Sequence, residues 1–190
     1  AFLIVGLAIP LWAARVDNFP ELQEATRVRV IAEQFAWNVH HPGPDGEYGQ
    51  TDVTLVDLET NPVGLDRDDP AAEDDVVMLN ELHLPVDTPA LIEVSSKDVI
   101  HSFALQEMRV KQDVIPGVRI PVWFVPTVTT EEMRERTGNP EFGFEITCAQ
   151  LCGLGHYRMR GFLTIHTPEG FQEWMDEQQA LLAESGDDFW

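Results

Sequence analysis

Two alternating apolar runs open the folded part of the chain. In TRVRVIAEQFAWNVHH, residues 26–41, Val28 and Val30 alternate with polar residues in one phase, and Phe35, Trp37 and Val39 alternate in the other. A period of two marks a half-buried strand, and the change of phase predicts a bulge or bend between the runs. Further strands are predicted at DVTLVD, ALIEVSS, VRIPVWFVP, FGFEIT and GFLTIH. Short strands set apart by proline and glycine turns indicate an all-β sandwich or barrel. Near the C-terminus the period changes. Phe171, Trp174, Met175, Gln178, Leu181 and Leu182 share one helical face, with Thr167 placed to cap the helix and Pro168 suited to its first turn.

The first fourteen residues, AFLIVGLAIPLWAA, are apolar without a charge, and Arg15, Asp17 and Asn18 begin a polar stretch. Crossing a bilayer takes about 20 apolar residues, so this run alone is too short. The apolar core of a signal peptide would carry a basic flank in front, which this run lacks. Residues 57–75, DLETNPVGLDRDDPAAEDD, hold eight acidic residues against one arginine and little apolar material, and read as a solvated acidic loop. The whole chain carries 33 Asp and Glu against 12 Lys and Arg, a formal charge of −21, which excludes nucleic acid as a partner. At 190 residues and 44% hydrophobic it can bury one sizeable core.

The chemistry is concentrated in residues 147–161, TCAQLCGLGHYRMRG, which hold both cysteines, a histidine and a methionine. Positions 148, 152, 156 and 159 would fall on one stripe of a helix. Gly153 and Gly155 oppose that, since each costs a helix interior about 0.8 to 1 kcal/mol, and strand-like runs flank the stretch on both sides. It therefore reads as a loop between two strands. A disulfide between Cys148 and Cys152 would leave His156 and Met159 unexplained, and C-x3-C-x3-H-x2-M arises by chance in roughly one chain in 10^4 to 10^5 of this size. Two thiolates, an imidazole and a thioether form a soft ligand set, suited to copper or zinc. Zinc has little use for a thioether and blue copper needs one cysteine, so two cysteines suggest two coppers.

The loop resembles the dinuclear copper (CuA) loop of cytochrome c oxidase subunit II. The resemblance extends from the N-terminal apolar run through QFAW, ELHLP and the run DVIHSF followed by KQDVIPG to the copper loop. It implies a cupredoxin-like Greek-key β-barrel or sandwich, preceded by the end of an N-terminal transmembrane helix and followed by a short C-terminal helix. On this basis residues 1–16 are the end of a transmembrane helix or membrane anchor, 17–25 a linker, 26–166 the copper-binding domain containing the 57–75 loop, and 167–190 a C-terminal helix and tail.

By the same resemblance, Cys148 and Cys152 bridge the two coppers. One copper adds His101 and Met159, and the other adds His156 and the backbone carbonyl of Gln150. Relatives commonly have glutamate at position 150, where the carboxylate helps bind magnesium; an amide is a poorer ligand for a hard cation. The family's electron-receiving tryptophan aligns with Phe35, with Trp37 two residues on. His40 and His41 precede a Pro-Gly turn and read as surface residues, and His83 and His166 show no partner in the sequence.

The resemblance implies an electron-transfer subunit of a haem-copper terminal oxidase. It would accept electrons from cytochrome c or another basic donor protein and pass them to haem in subunit I, beside the other membrane subunits. Haem and CuB are expected only in a partner subunit, and no residue of this chain is expected to be catalytic. The implied location is a bacterial inner membrane, with the copper domain on the periplasmic side. A CuA module of another copper enzyme, such as nitrous oxide reductase, is the alternative, although that family adds a large histidine-rich domain which is absent here.

Overall fold

The computed structural model describes residues 1–185. Its strands are β1 (Thr26–Glu33), β2 (Ala36–His41), β3 (Val76–Leu79), β4 (Glu81–Pro85), β5 (Ala90–Ser96), β6 (His101–Leu105), β7 (Val110–Val114), β8 (Ile120–Phe124), β9 (Phe144–Cys148) and β10 (Arg160–His166). They form two five-stranded sheets, ordered β3-β2-β1-β5-β8 and β4-β10-β9-β6-β7. Neighbours run antiparallel except β1 with β5 and β4 with β10, the two pairings that join the strands farthest apart in sequence. The sandwich is cupredoxin-like, as expected.

Alternation fixes which face looks inward. On β1, Val28, Val30 and Ala32 are fully buried between neighbours that are only partly buried, and on β5 Ile92 and Val94 join them. They pack against Phe103, Leu105, Ile146 and Leu163 of the second sheet. The bend expected between Val30 and Phe35 is a hairpin turn: Ala32 pairs with Trp37 and Val30 with Val39. Because directly paired residues lie on the same face of a sheet, the reversal brings both apolar phases into one core. The peptide bond between Gln34 and Phe35 is cis.

Several expectations fail for identifiable reasons. DVTLVD is not a strand; Val53–Leu55 forms a 3-10 turn, because Asp52 accepts hydrogen bonds from both the backbone N–H and the hydroxyl of Thr54, a local alternative to ladder pairing. The acidic loop is more than a solvated segment. Leu65, Ala72 and Asp75 are buried, and Thr51, Val63, Arg29, Glu93 and Arg119 together line a small cavity over the outer face of the first sheet. β6 is buried at all five positions and so has no alternation to read, whereas β7 alternates around polar residues as an edge strand. Helix α2 (Thr130–Thr137) has no apolar face. Its signal is a capping box between Thr129 and Glu132, with Gly138 at φ 66° ending it.

Helix α3 (Pro168–Ser185) runs where expected, and the rest of the predicted tail lies outside the described residues. Trp174 and Met175 are buried against Val76, and Thr167 Oγ1 accepts from the Gly170 N–H at 3.0 Å. The structure corrects the expectation for four histidines, three of which, His41, His83 and His166, pack against α3. His40 and His41 are buried rather than superficial. His40 Nε2 lies 2.8 Å from Asp75, and the His41 ring meets Trp174 edge-on at 5.2 Å. His83 and His166 share a hydrogen bond of 2.8 Å, and Trp174 stacks on His83 at 4.2 Å, nearly parallel. The Pro-Gly turn after His41 gave no sign that a distant helix would cover it.

Residues 4–17 are helical in consecutive turns, Ile4–Ala8, Ile9–Trp12 and Ala13–Asp17. Their apolar side chains are exposed. Among the described residues no helix is long and apolar enough to cross a membrane.

Candidate metal centre

One end of the sandwich gathers the β1–β2 turn, the first residue of β6, the last of β9 and the loop from β9 to β10. His101 opens β6 and Cys148 closes β9; these strands pair, with Phe103 opposite Cys148. The His101 ring and the Cys148 thiol therefore meet, with Nδ1 3.9 Å from Sγ. The loop then returns. Cys148 Sγ is 3.7 Å from Cys152 Sγ and 3.1 Å from the Gln150 carbonyl oxygen. Cys152 Sγ is 3.6 Å from His156 Nδ1 and 3.7 Å from Met159 Sδ. All six residues predicted as ligands thus adjoin one or the other thiol.

The spacing fits shared metal ions. With metal–sulfur bonds of about 2.3 Å and tetrahedral angles, two thiolates on one ion stand about 3.8 Å apart, and a thiolate and an imidazole nitrogen about 3.5 Å apart. The ligand atoms of His101, Cys148 and Cys152 all lie within 4.8 Å of one another, and both cysteines are free thiols. Burial, with the adjacent Cys148 thiol, pushes the Cys152 thiol up to about 11, so a bound cation must displace a firmly held proton. Gln150 presents its carbonyl inward while the residue itself is exposed, consistent with a role independent of its side chain.

Two residues unforeseen in the sequence hold these donors in place. Asp98 Oδ1 binds His101 Nε2 at 2.9 Å, which turns Nδ1 toward the sulfurs. Partial burial pushes the Asp98 carboxyl up, but hydrogen bonds from His101, Val99 N–H and Gln34 N–H outweigh it and hold the group below the usual carboxylate range. Its signal was available, three residues before His101 in the same motif. Gln34 had none: its amide donates to the Cys152 carbonyl at 2.6 Å across 118 positions of sequence.

The glycines of the loop now have a reason. Gly153 has φ 137°, and a methyl there would come within 2.6 Å of the Gln34 amide. A methyl on Gly155 would overlap the Phe35 ring. Phe35 therefore lies half-buried directly against the loop, while Trp37 is fully buried beneath it. Trp37 meets His101 edge-on at 6.2 Å and Phe103 at 5.7 Å, and its indole N–H has no hydrogen-bond partner among the described residues. Outside, Leu151, Leu154 and Tyr157 are 75%, 96% and 87% exposed, a bare apolar rim around the cluster.

A two-sheet cupredoxin-like sandwich with a His/Cys/Met cluster at one end defines a domain built for a soft metal. The family described as cytochrome C oxidase subunit II, periplasmic domain, matches residues 26–164, and the chain belongs to that family. It is 37% identical over 164 residues to the alternative cytochrome c oxidase subunit 2 of Bradyrhizobium diazoefficiens, covering 86% of this chain and 54% of that protein. It is also 37% identical over 108 residues to cytochrome c oxidase subunit 2 of Thermostichus vulcanus, covering 57% of this chain and 29% of that one. The chain therefore spans about half or less of these relatives' length. Among solved structures, the periplasmic domain of subunit II of cytochrome oxidase from Bradyrhizobium japonicum superposes with a TM-score of 0.58 at 23% identity, over 87% of this chain and 99% of that one, and supports the fold.

Proposed function

We propose that the chain is the electron-receiving copper domain of a haem-copper oxidase, taking electrons from cytochrome c and passing them to haem in subunit I. The observation that carries this reading is the convergence of His101, Cys148, Gln150 O, Cys152, His156 and Met159 within 4 Å links about two neighbouring thiols. In this reading Cys148, Cys152, His101, Met159, His156 and the Gln150 carbonyl would together hold a dinuclear copper centre. When bound, such a pair supplies a one-electron carrier.

The chain's own residues do the rest. Asp98 fixes the tautomer and direction of His101. Gln34, Phe35 and the two glycines lock the loop to the β1–β2 turn and so hold the donors toward one another. Cys152, Met159 and Trp37, all buried, exclude water beneath the cluster. The exposed rim of Leu151, Leu154 and Tyr157 offers an apolar contact for a donor protein, with Phe35 just below it. The membrane side of the assembly, including attachment through residues 1–16 and a periplasmic position for the domain, belongs to the same reading.

Copper loading of the chain tests it. Two coppers per chain, with a purple mixed-valence visible and near-infrared spectrum, are expected. A single blue copper, or retention of zinc in preference to copper, would overturn it.

A further inference from the structure

Gln34 holds two of the ligand segments at once. Its side-chain amide donates to the Cys152 carbonyl at 2.6 Å. Its backbone N–H donates to Asp98 Oδ2 at 2.7 Å, and the other oxygen of that carboxylate binds His101 Nε2 at 2.9 Å. One residue thus joins the Cys152 main chain to the His101 ring. Its own position is fixed in turn. The Lys97 N–H donates to the Ala32 carbonyl at 3.0 Å, and the Lys97 ammonium meets Glu33 at 2.6 Å with both side chains partly buried. The turn that carries Asp98 is therefore fastened to the end of β1, immediately before Gln34.

Cys152 is the donor that needs such a tie. Cys148 is set by β9: its N–H donates to the Met159 carbonyl at 3.4 Å, and the next N–H, of Ala149, donates to the Ser102 carbonyl at 2.9 Å. His156 and Met159 belong to a short turn closed by bonds from His156 to Gly153, from Arg158 to Gly155 and from Met159 to His156. Cys152 lies between these two tied stretches, with Leu151 and Gly153 exposed on either side. Its thiol stands 3.7 Å from that of Cys148, with His101 against one sulfur and His156 against the other. A shorter separation lets the thiols join as a disulfide, and a longer one takes them off shared ions, whose thiolates stand about 3.8 Å apart. The Gln34 amide acts on the Cys152 main chain from the His101 side, where it controls that separation.

We propose that Gln34 is the positioning residue that fixes the spacing of Cys148 and Cys152, and through it the capacity of the site for two metal ions in place of one. The capacity rests on the proposed function; the spacing does not. Gln34 is itself exposed, so its replacement opens no cavity in the core and the local effect is separable from folding.

Three variants test it. Gln34→Ala removes the donor, Gln34→Glu sets an acceptor against the Cys152 carbonyl, and Gln34→Lys keeps a donor of similar reach. In the metal-free chain, oxidised glutathione joins Cys148 to Cys152: the two thiols give up two electrons and two protons, and the glutathione disulfide becomes two thiols. Release of the spacing is expected to speed that reaction about two- to tenfold in Gln34→Ala and Gln34→Glu, the range one lost hydrogen bond supplies. Gln34→Lys should stay near the native rate, and hydrogen exchange in β1 and β5 should be unchanged in all three. On copper loading, Gln34→Ala and Gln34→Glu are expected to bind the second copper about tenfold more weakly by chelator competition, and Gln34→Lys to keep both. A native rate of thiol oxidation in Gln34→Ala would overturn the proposal, as would Gln34→Lys behaving like Gln34→Ala. Loss of exchange protection in β1 and β5 would overturn it too, by making Gln34 a general support of the fold. A native chain that binds one copper while Gln34→Ala is still oxidised faster would overturn the dinuclear reading and uphold the spacing role.

Discussion

Nε2 of His101 lies 2.9 Å from Oδ1 of Asp98, while Nδ1 of the same ring points at Cys148 Sγ. The carboxylate thus decides which nitrogen is left free for a metal. Outer partners of this kind are worth about 10- to 100-fold in metal affinity. Asp98→Asn is expected to weaken copper binding by about tenfold, measured by chelator competition, while the thermal midpoint changes little. Unchanged affinity would show that packing against Trp37 alone orients the ring.

The two thiols and the carbonyl between them should respond differently to substitution. Cys148→Ser or Cys152→Ser is expected to abolish the dinuclear spectrum, because a hydroxyl does not bridge soft metals as a thiolate does. Gln150→Ala keeps the backbone oxygen and should keep two coppers with a small spectral change. Loss of one copper equivalent in Gln150→Ala would make the side chain a ligand.

The histidines under α3 make its docking sensitive to pH. Burial, reinforced by the neighbouring His83 and His40, lowers His41 to about 3; burial, with His166 beside it, lowers His83 to about 4; burial also lowers His166. The acids facing this cluster are Glu81, 3.9 Å from His83, and Asp75, held by His40. The unfolded chain takes up these protons near 6.5, and the folded chain only at lower pH. The unfolded state therefore binds more protons in between, and stability rises with pH. The contribution is complete above about pH 6.5 and is lost as pH falls toward 4 and then 3. Hydrogen exchange should show α3 amides losing protection over that range ahead of β1 and β5. Simultaneous loss in both regions would mean that the histidines do not govern the helix.

With a basic cytochrome c as the proposed donor, the net charge of −21 is expected to make the rate of reduction fall several-fold between low salt and about 0.15 M, where the Debye length is roughly 8 Å. The loop acids divide into structural and free groups. Asp69, Asp74 and Asp75 accept backbone hydrogen bonds, whereas Glu59, Asp68 and Glu73 are exposed. Glu59→Gln, Asp68→Asn and Glu73→Gln together should flatten the salt dependence if this loop steers the donor. A stopped-flow rate indifferent to salt in the native chain would assign docking to the apolar rim of Leu151, Leu154 and Tyr157.

The sequence by itself determined the ligand loop. Two cysteines, His156 and Met159 lie within twelve residues between two strand-like runs, so their chemistry and mutual reach are local properties of the chain. The alternation of β1, β2, β5 and β10 and the face of α3 were local in the same sense, because a buried face writes its period into the residues that form it. Tertiary structure alone decided what met across distance. Gln34 reaches Cys152, α3 covers His41 and His83, and the acidic loop lies over the first sheet, all without a local mark, because each depends on two segments far apart in the chain arriving at the same place. A fully buried strand such as β6 carries no period, and a polar helix such as α2 has no apolar stripe, so for these elements packing and capping supplied what the hydrophobic pattern could not.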